Sequence, residues 1–161
     1  RTAEQFDPQL NWGDVEWIKK RWGGKLILKG IMDAEDARLA VNSGADALIV
    51  SNHGGRQLDG APSSIAALPH IAEAVGKNIE VWMDGGIRSG QDVLKARALG
   101  AQGTLIGRSF LYGLGAFGEA GVTRALQIIQ KELDITMAFC GHTNINNVDR
   151  SVLLPGTIPT L

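Results

Sequence analysis

The sequence predicts an α/β fold with a parallel sheet, built from about four β/α units. Three observations predict it. Four short apolar runs recur along the chain, segments with helical spacing lie between them, and every run ends in polar or glycine residues. Alternation of this kind implies a parallel sheet with right-handed crossovers.

The elements follow in order. The opening, Arg1 to Asn11, reads as irregular. A helix from about Trp12 or Gly13 to Arg21 leads into the first run, Lys25 to Lys29. Asp33 is suited to cap a helix reaching Ser43, with Asp36 in its first turn. The second run, Ala47 to Ser51, precedes a helix from Ser63 to about Val75. The third, Ile79 to Met83, precedes one that starts at Ser89 and turns Val93, Leu94, Ala96 and Ala98 or Leu99 inward. The fourth is Thr104 to Gly107. Runs so continuously apolar suit strands covered on both faces. Gly44, Gly76 and Gly100 stand where C-terminal glycines belong. A last helix from about Phe117 to Phe139 carries Val122, Leu126, Ile129 and Leu133 as a stripe, and one helical turn is expected at Ile145 to Val148.

Composition narrows the function classes. Apolar residues make up 44% and charged residues 20% of 161, the profile of a globular domain with a sizeable core. A net charge of -1 offers no electrostatic case for nucleic acid. No apolar run approaches the roughly 20 residues of a membrane span. The single cysteine, Cys140, cannot form an internal disulfide, and its place near the end of an amphipathic helix suggests packing rather than nucleophilic chemistry. No metal is expected, because no His, Cys, Asp and Glu cluster has ligand spacing.

The chemistry is concentrated at the strand ends. These are Lys29-Gly30, Ser51-Asn52-His53-Gly54-Gly55-Arg56, Asp84-Gly85-Gly86 and Gly107-Arg108. In β/α barrels the active site is built at that edge from several strands. One such residue is ordinarily a solvated strand end, but four successive strands contributing Lys, His and Arg, Asp, and Arg are hard to explain by folding alone. His53 can move a proton near neutral pH, and Arg56 presents a planar fork that fits a carboxylate. The bland reading of His53 is a hydrogen-bonded turn residue; His70 and His142 read as structural or surface groups. Asp84-Gly85-Gly86-Ile87-Arg88 and Gly107-Arg108 read as an anion site, in which backbone N–H groups and helix starts add donors. Four units are too few to close an eight-stranded barrel of ~250 residues. An open doubly wound sheet is the other arrangement available to them, and the chemistry favours half of a barrel. Such a half leaves two sheet edges open, with Leu26, Leu28, Ile49, Val81 and Met83 or their neighbours lining an uncovered interior.

Ser51 to Gly60, S-N-H-G-G-R-Q-L-D-G, resembles the signature of the FMN-dependent α-hydroxy-acid dehydrogenases and oxidases. That family includes L-lactate dehydrogenases, glycolate oxidases and mandelate dehydrogenases. The likeness runs from about Phe6 to about Gly141 and takes in L-K-G at Leu28, D-G-G-I-R at Asp84 and L-I-G-R-S-F-L-Y at Leu105. The resemblance implies that this chain is the C-terminal half, strands 5–8, of a (β/α)8 TIM barrel, with the N-terminal half of the same protein as its partner. It implies His53 as the base and Arg56 as the substrate carboxylate's partner. Lys29 and Ser51 would line the flavin, and Asp84, Gly85, Gly86, Arg88, Gly107 and Arg108 would hold the FMN ribityl and phosphate. The expected reaction is oxidation of a small L-2-hydroxy acid, lactate first, with a homotetramer as the expected assembly. The expected location is the cytoplasm. A peripheral contact with the inner membrane face would come through the segment that precedes Arg1 in some members. Asp59, although close to His53 in sequence, is not assigned as its orienting carboxylate. Two other classes remain open: a phosphate-binding β/α barrel enzyme without flavin chemistry, and a non-catalytic half-barrel module.

Overall fold

A computed structural model describes residues 7–158. Residues 1–6 of the expected irregular opening lie outside the described residues, and Asp7 to Asn11 carry no helix or strand. Helix α1 spans Trp12–Trp22. Asn11 and Asp14 form a reciprocal capping box at its start, and Lys19, Lys20 and Arg21 sit in the last turn, where the helix dipole favours cations. Strand β1 (Ile27–Ile31), helix α2 (Ala34–Asn42), strand β2 (Ala47–Val50), helix α3 (Ser64–Val75), strand β3 (Glu80–Asp84), helix α4 (Gly90–Ala98) and strand β4 (Gly103–Leu105) follow. Helix α5 covers Arg108–Phe139, and two short 3-10 turns, Ile145–Asn147 and Arg150–Val152, follow it.

The four strands form one parallel sheet in the order β1-β2-β3-β4. Its register puts Lys29, Ile49, Trp82 and Gly103 in one row. Leu48, Val50, Val81 and Met83 point the other way and join Ala37, Ala40, Ala67, Leu68 and Ile71 of α2 and α3 in the main core. Side chains alternate along a strand, so burial of one set leaves the neighbouring set on the opposite face. This corrects part of the expected uncovered interior. Val81 and Met83 are buried beneath helices and Ile49 is buried as well, while Ile27 is 42% exposed.

Several boundaries differ from expectation for local reasons. The first strand begins two residues later, because Lys25 and Leu26 are tied to the Asp46 carboxylate before pairing starts. Ser63 precedes α3 but makes no side-chain cap bond; the neighbouring Ser64 hydroxyl donates to the Asp84 carbonyl oxygen instead. Helix α5 starts at Arg108, well before the expected Phe117, because two arms meet at a bend where Gly118 has φ 57°. The bend lays Gly113 against Gly121 so closely that neither could carry a Cβ. Of the expected stripe, Val122, Ile129 and Leu133 are half-buried on the face that carries the buried Gly121 and Met137, with Leu133 packed against Leu94, Ala98 and Met137, while Leu126 is 52% exposed. Cys140 is exposed rather than packed. No described helix is long and apolar enough to cross a membrane.

Candidate active site

The C-terminal ends of the first three strands converge on one ammonium group. Lys29, on β1, donates from Nζ to the Ser51 Oγ at 2.8 Å and lies 2.9 Å from the Asp84 Oδ2. Ser51 follows β2 and is fully buried; Asp84 ends β3. Nothing in the sequence spacing links these residues, which lie 22 and 55 positions from Lys29 (51 − 29 and 84 − 29). The parallel register brings them together. The other carboxylate oxygen, Asp84 Oδ1, is buried and has no hydrogen-bond partner among the described residues. A buried acceptor without a donor is costly, so it calls for a ligand that can donate to it.

The Ser51 hydroxyl also accepts from the His53 backbone N–H at 3.1 Å. His53 opens a short 3-10 turn, His53–Gly55, and has φ 55°, the one positive φ at a non-glycine residue among the described residues. A left-handed non-glycine residue costs about 1–3 kcal/mol and persists where its surroundings over-determine it. Here Asn52 accepts from the Gly54 N–H through Oδ1 and donates from Nδ2 to the Pro62 carbonyl oxygen, pinning both ends of the loop. His53 and Arg56 are exposed at the strand ends. The Asp59 carboxylate accepts from the Gly60 N–H within its own turn and makes no hydrogen bond with His53.

A cavity of about 320 Å³ lies beside this cluster. Arg56, Arg88 and Arg108 contribute three cations to its lining, and Asp84, Gly86 and Gly107 bring the strand ends to it. Its two neighbouring helix starts are not equivalent. At α4, the Asp92 carboxylate accepts from the Arg88 and Ser89 N–H groups, and the Glu132 Oε2 accepts from the Gly90 N–H. Those donors are already used. At α5, Gly107 is the N-cap and no side chain caps the helix. At α4 the positive dipole end is already met by two carboxylates, whereas α5 leaves its own open to a ligand. This narrows the sequence reading, which counted helix starts without distinguishing them.

Every expected site residue lies at this edge. Lys29 is directly bonded to Ser51 and Asp84, while Arg88, from the loop before α4, and Arg108, at the start of α5, reach the same cavity. Sequence reasoning missed Ser64 and Glu132. The Ser-Ser pair was a weak signal for the first. Glu132 had none, because it lies 42 residues from Gly90 and only the packing of α4 on α5 unites them.

The model of the FMN-dependent dehydrogenase family matches residues 1–155. The chain belongs to that family. Among its relatives, an L-lactate dehydrogenase of Caulobacter sp. (strain K31) is 53% identical over 148 residues, 92% of this chain and 39% of that protein. One from Pseudomonas syringae pv. syringae (strain B728a) is 51% identical over 152 residues, 94% of this chain and 40% of that protein. The chain thus spans about two fifths of the length of these relatives. Among solved structures, a mandelate oxidase variant with a monooxide FMN adduct superposes with a TM-score of 0.84. It is 45% identical, with 88% of this chain and 45% of that one covered. Mandelate oxidase with benzoyl-formic acid gives the same score and identity over 88% and 42%. The α/β fold with its parallel sheet is therefore shared with these flavoproteins.

The residues present fit FMN. Gly85, in the cavity lining next to Asp84 with its unpartnered oxygen, has φ 92°, and a Cβ on it would meet the Ser64 Oγ at 2.6 Å, so glycine is required there. Arginines and free helix amides suit a phosphate; a buried carboxylate oxygen suits hydroxyl donors such as those of a ribityl chain.

Proposed function

We propose that this chain carries the base and the phosphate-binding half of an enzyme that oxidises a small L-2-hydroxy acid, lactate first, to the 2-oxo acid. In this reading its 161 residues are strands 5–8 of a (β/α)8 barrel. The N-terminal half of the same protein completes the barrel and the rest of the substrate pocket. The observation that carries the reading is the bonded set Lys29, Ser51 and Asp84 beside His53 and Arg56.

The roles follow from chemistry. FMN, when bound, accepts the two electrons released as the alcohol becomes a ketone. Arg56 holds the substrate carboxylate through a planar, two-point contact and thereby orients the reacting carbon. His53 takes a proton from the substrate at an imidazole nitrogen. Whether the proton leaves the α-carbon or the hydroxyl oxygen, the imidazole must lie beside that carbon, and the pinned loop keeps it there. Lys29 places positive charge next to the cofactor, with Ser51 and Asp84 fixing its position. Asp84 and the backbone of Gly85 and Gly86 hold the ribityl chain; Arg88, Gly107 and Arg108 hold the phosphate. The assembly is proposed to be a homo-oligomer in the cytoplasm, with peripheral membrane contact through the segment ahead of Arg1.

The test is anaerobic mixing of the full-length, FMN-loaded protein with L-lactate, glycolate and mandelate. Rapid bleaching of the flavin by one of them supports the reading. A flavin that no 2-hydroxy acid bleaches, or a full-length protein that retains no FMN, rejects it.

A further inference from the structure

We infer that Gly30 is a positioning residue for His53: its bare face is the seat of the imidazole, and a side chain there drives the ring from its working position. The inference rests on the proposed role of His53 as base. Three observations carry it. Gly30 is the extra residue of a bulge at the end of β1, since Lys29 pairs with Ile49 and Ile31 with Val50. Its φ is 101°. A Cβ built on it would lie 2.7 Å from the His53 Cε1, and 3.6 and 3.7 Å from Nε2 and Nδ1. All three distances are to ring atoms, so the imidazole itself occupies the space.

The rest of the local structure leaves the ring few other constraints. The His53 backbone is held in its left-handed conformation by the bond from its N–H to the Ser51 Oγ. The imidazole has no hydrogen-bond partner among the described residues. With the backbone fixed, two side-chain torsions remain, and the space over Gly30 decides where they put the ring. The bulge explains why position 30 is aimed this way. Bulges re-aim a strand end and recur next to active sites. The same Ser51 hydroxyl accepts from Lys29, so the flavin-side cation and the base are placed by one pair of strand ends.

A glycine at positive φ has a second explanation, that the bulge alone demands it. A double-mutant cycle separates the two, using the full-length flavin-loaded protein, Gly30→Ala, His53→Ala and the double variant. If the imidazole fills the space, the thermal penalty of Gly30→Ala is smaller in the His53→Ala background. Long-range nitrogen–proton NMR of the histidine side chains then shows the His53 signals displaced in Gly30→Ala. Flavin reduction at saturating substrate falls by about 10²-fold, the scale expected for roughly 1 Å of misplacement, with substrate Kd retained. Equal penalties in both backgrounds, unmoved His53 signals or an unchanged reduction rate would each overturn the inference. Should Gly30→Ala fail to fold, recovery of a folded protein in the double variant supports the inference, and failure of both overturns it. If the wild-type flavin is bleached by no 2-hydroxy acid, the functional reading fails alone, because the thermal cycle and the NMR signals still decide the place of the ring.

Discussion

The Lys29 ammonium lies 2.9 Å from the Asp84 carboxylate, although their strands, β1 and β3, are separated by β2. The pair reaches across the end of the middle strand, with the buried Ser51 hydroxyl beneath it. Lys29 is 39% exposed, so the pair contributes only about 0–1 kcal/mol to stability. Its value is in placing charge, and the second Asp84 oxygen is left for a ligand.

Asp84→Asn should therefore leave the fold nearly intact while weakening FMN retention. A hydrogen bond to a charged group is worth about 1.5–3 kcal/mol, so the Kd for FMN should rise by about 10–100-fold. Fluorescence of released FMN on dilution measures it. A Kd equal to the wild type would remove Asp84 from the cofactor site.

His53→Gln should keep FMN bound and slow its reduction by 2-hydroxy acid by about 10²–10⁴-fold, the usual worth of a general base. Stopped-flow bleaching at the wild-type rate would refute the role.

The two helix starts beside the cavity should respond differently. Arg108→Ala, at the uncapped start of α5, should lower FMN occupancy after dialysis. Ser89→Ala, at the self-capped start of α4, should cost about 0.5–2 kcal/mol of stability and leave occupancy near the wild type. The reverse pattern would assign the phosphate to α4.

Asp46 gives a pH prediction. Its carboxylate accepts from Lys19, from the Leu26 N–H and from Lys25, which together hold its pKa well below the usual carboxylate value. A depressed folded pKa means that the stabilisation is complete above the unfolded value of about 3.9 and is lost as pH falls through the folded one. Wild type should thus exceed Asp46→Asn in melting temperature near neutral pH, with the gap closing below about pH 4. A gap that persists undiminished into strong acid would show that the carboxylate charge is not its source.

Much of this was legible in the sequence because it is written in local rules. Asp33 and Ser89 cap helices through their own side chains, as the residue types imply. The parallel sheet follows from continuous apolar runs separated by helices, and the site follows from polar residues at the ends of those runs. The misses share one cause. Helix α5 begins at Arg108 rather than Phe117 because glycine-rich sequence reads as loop, yet Gly113 and Gly121 are what allow its two arms to touch. Leu126 drops out of the inward stripe of α5 because its partner, α4, selects how much of that face packs, which periodicity alone leaves open.

The sequence by itself determined the class of fold, the strand-end placement of His53, Arg56, Lys29 and Asp84, and the glycine and arginine content of an anion site. These depend on residue types within a few positions of one another. Only the tertiary structure decided which groups bond: Lys29 with Ser51 and Asp84, Glu132 with Gly90, and the His53 ring over Gly30. Such contacts are set by parallel register, by a one-residue bulge and by helix packing, each of which joins residues tens of positions apart and leaves no local trace in the chain.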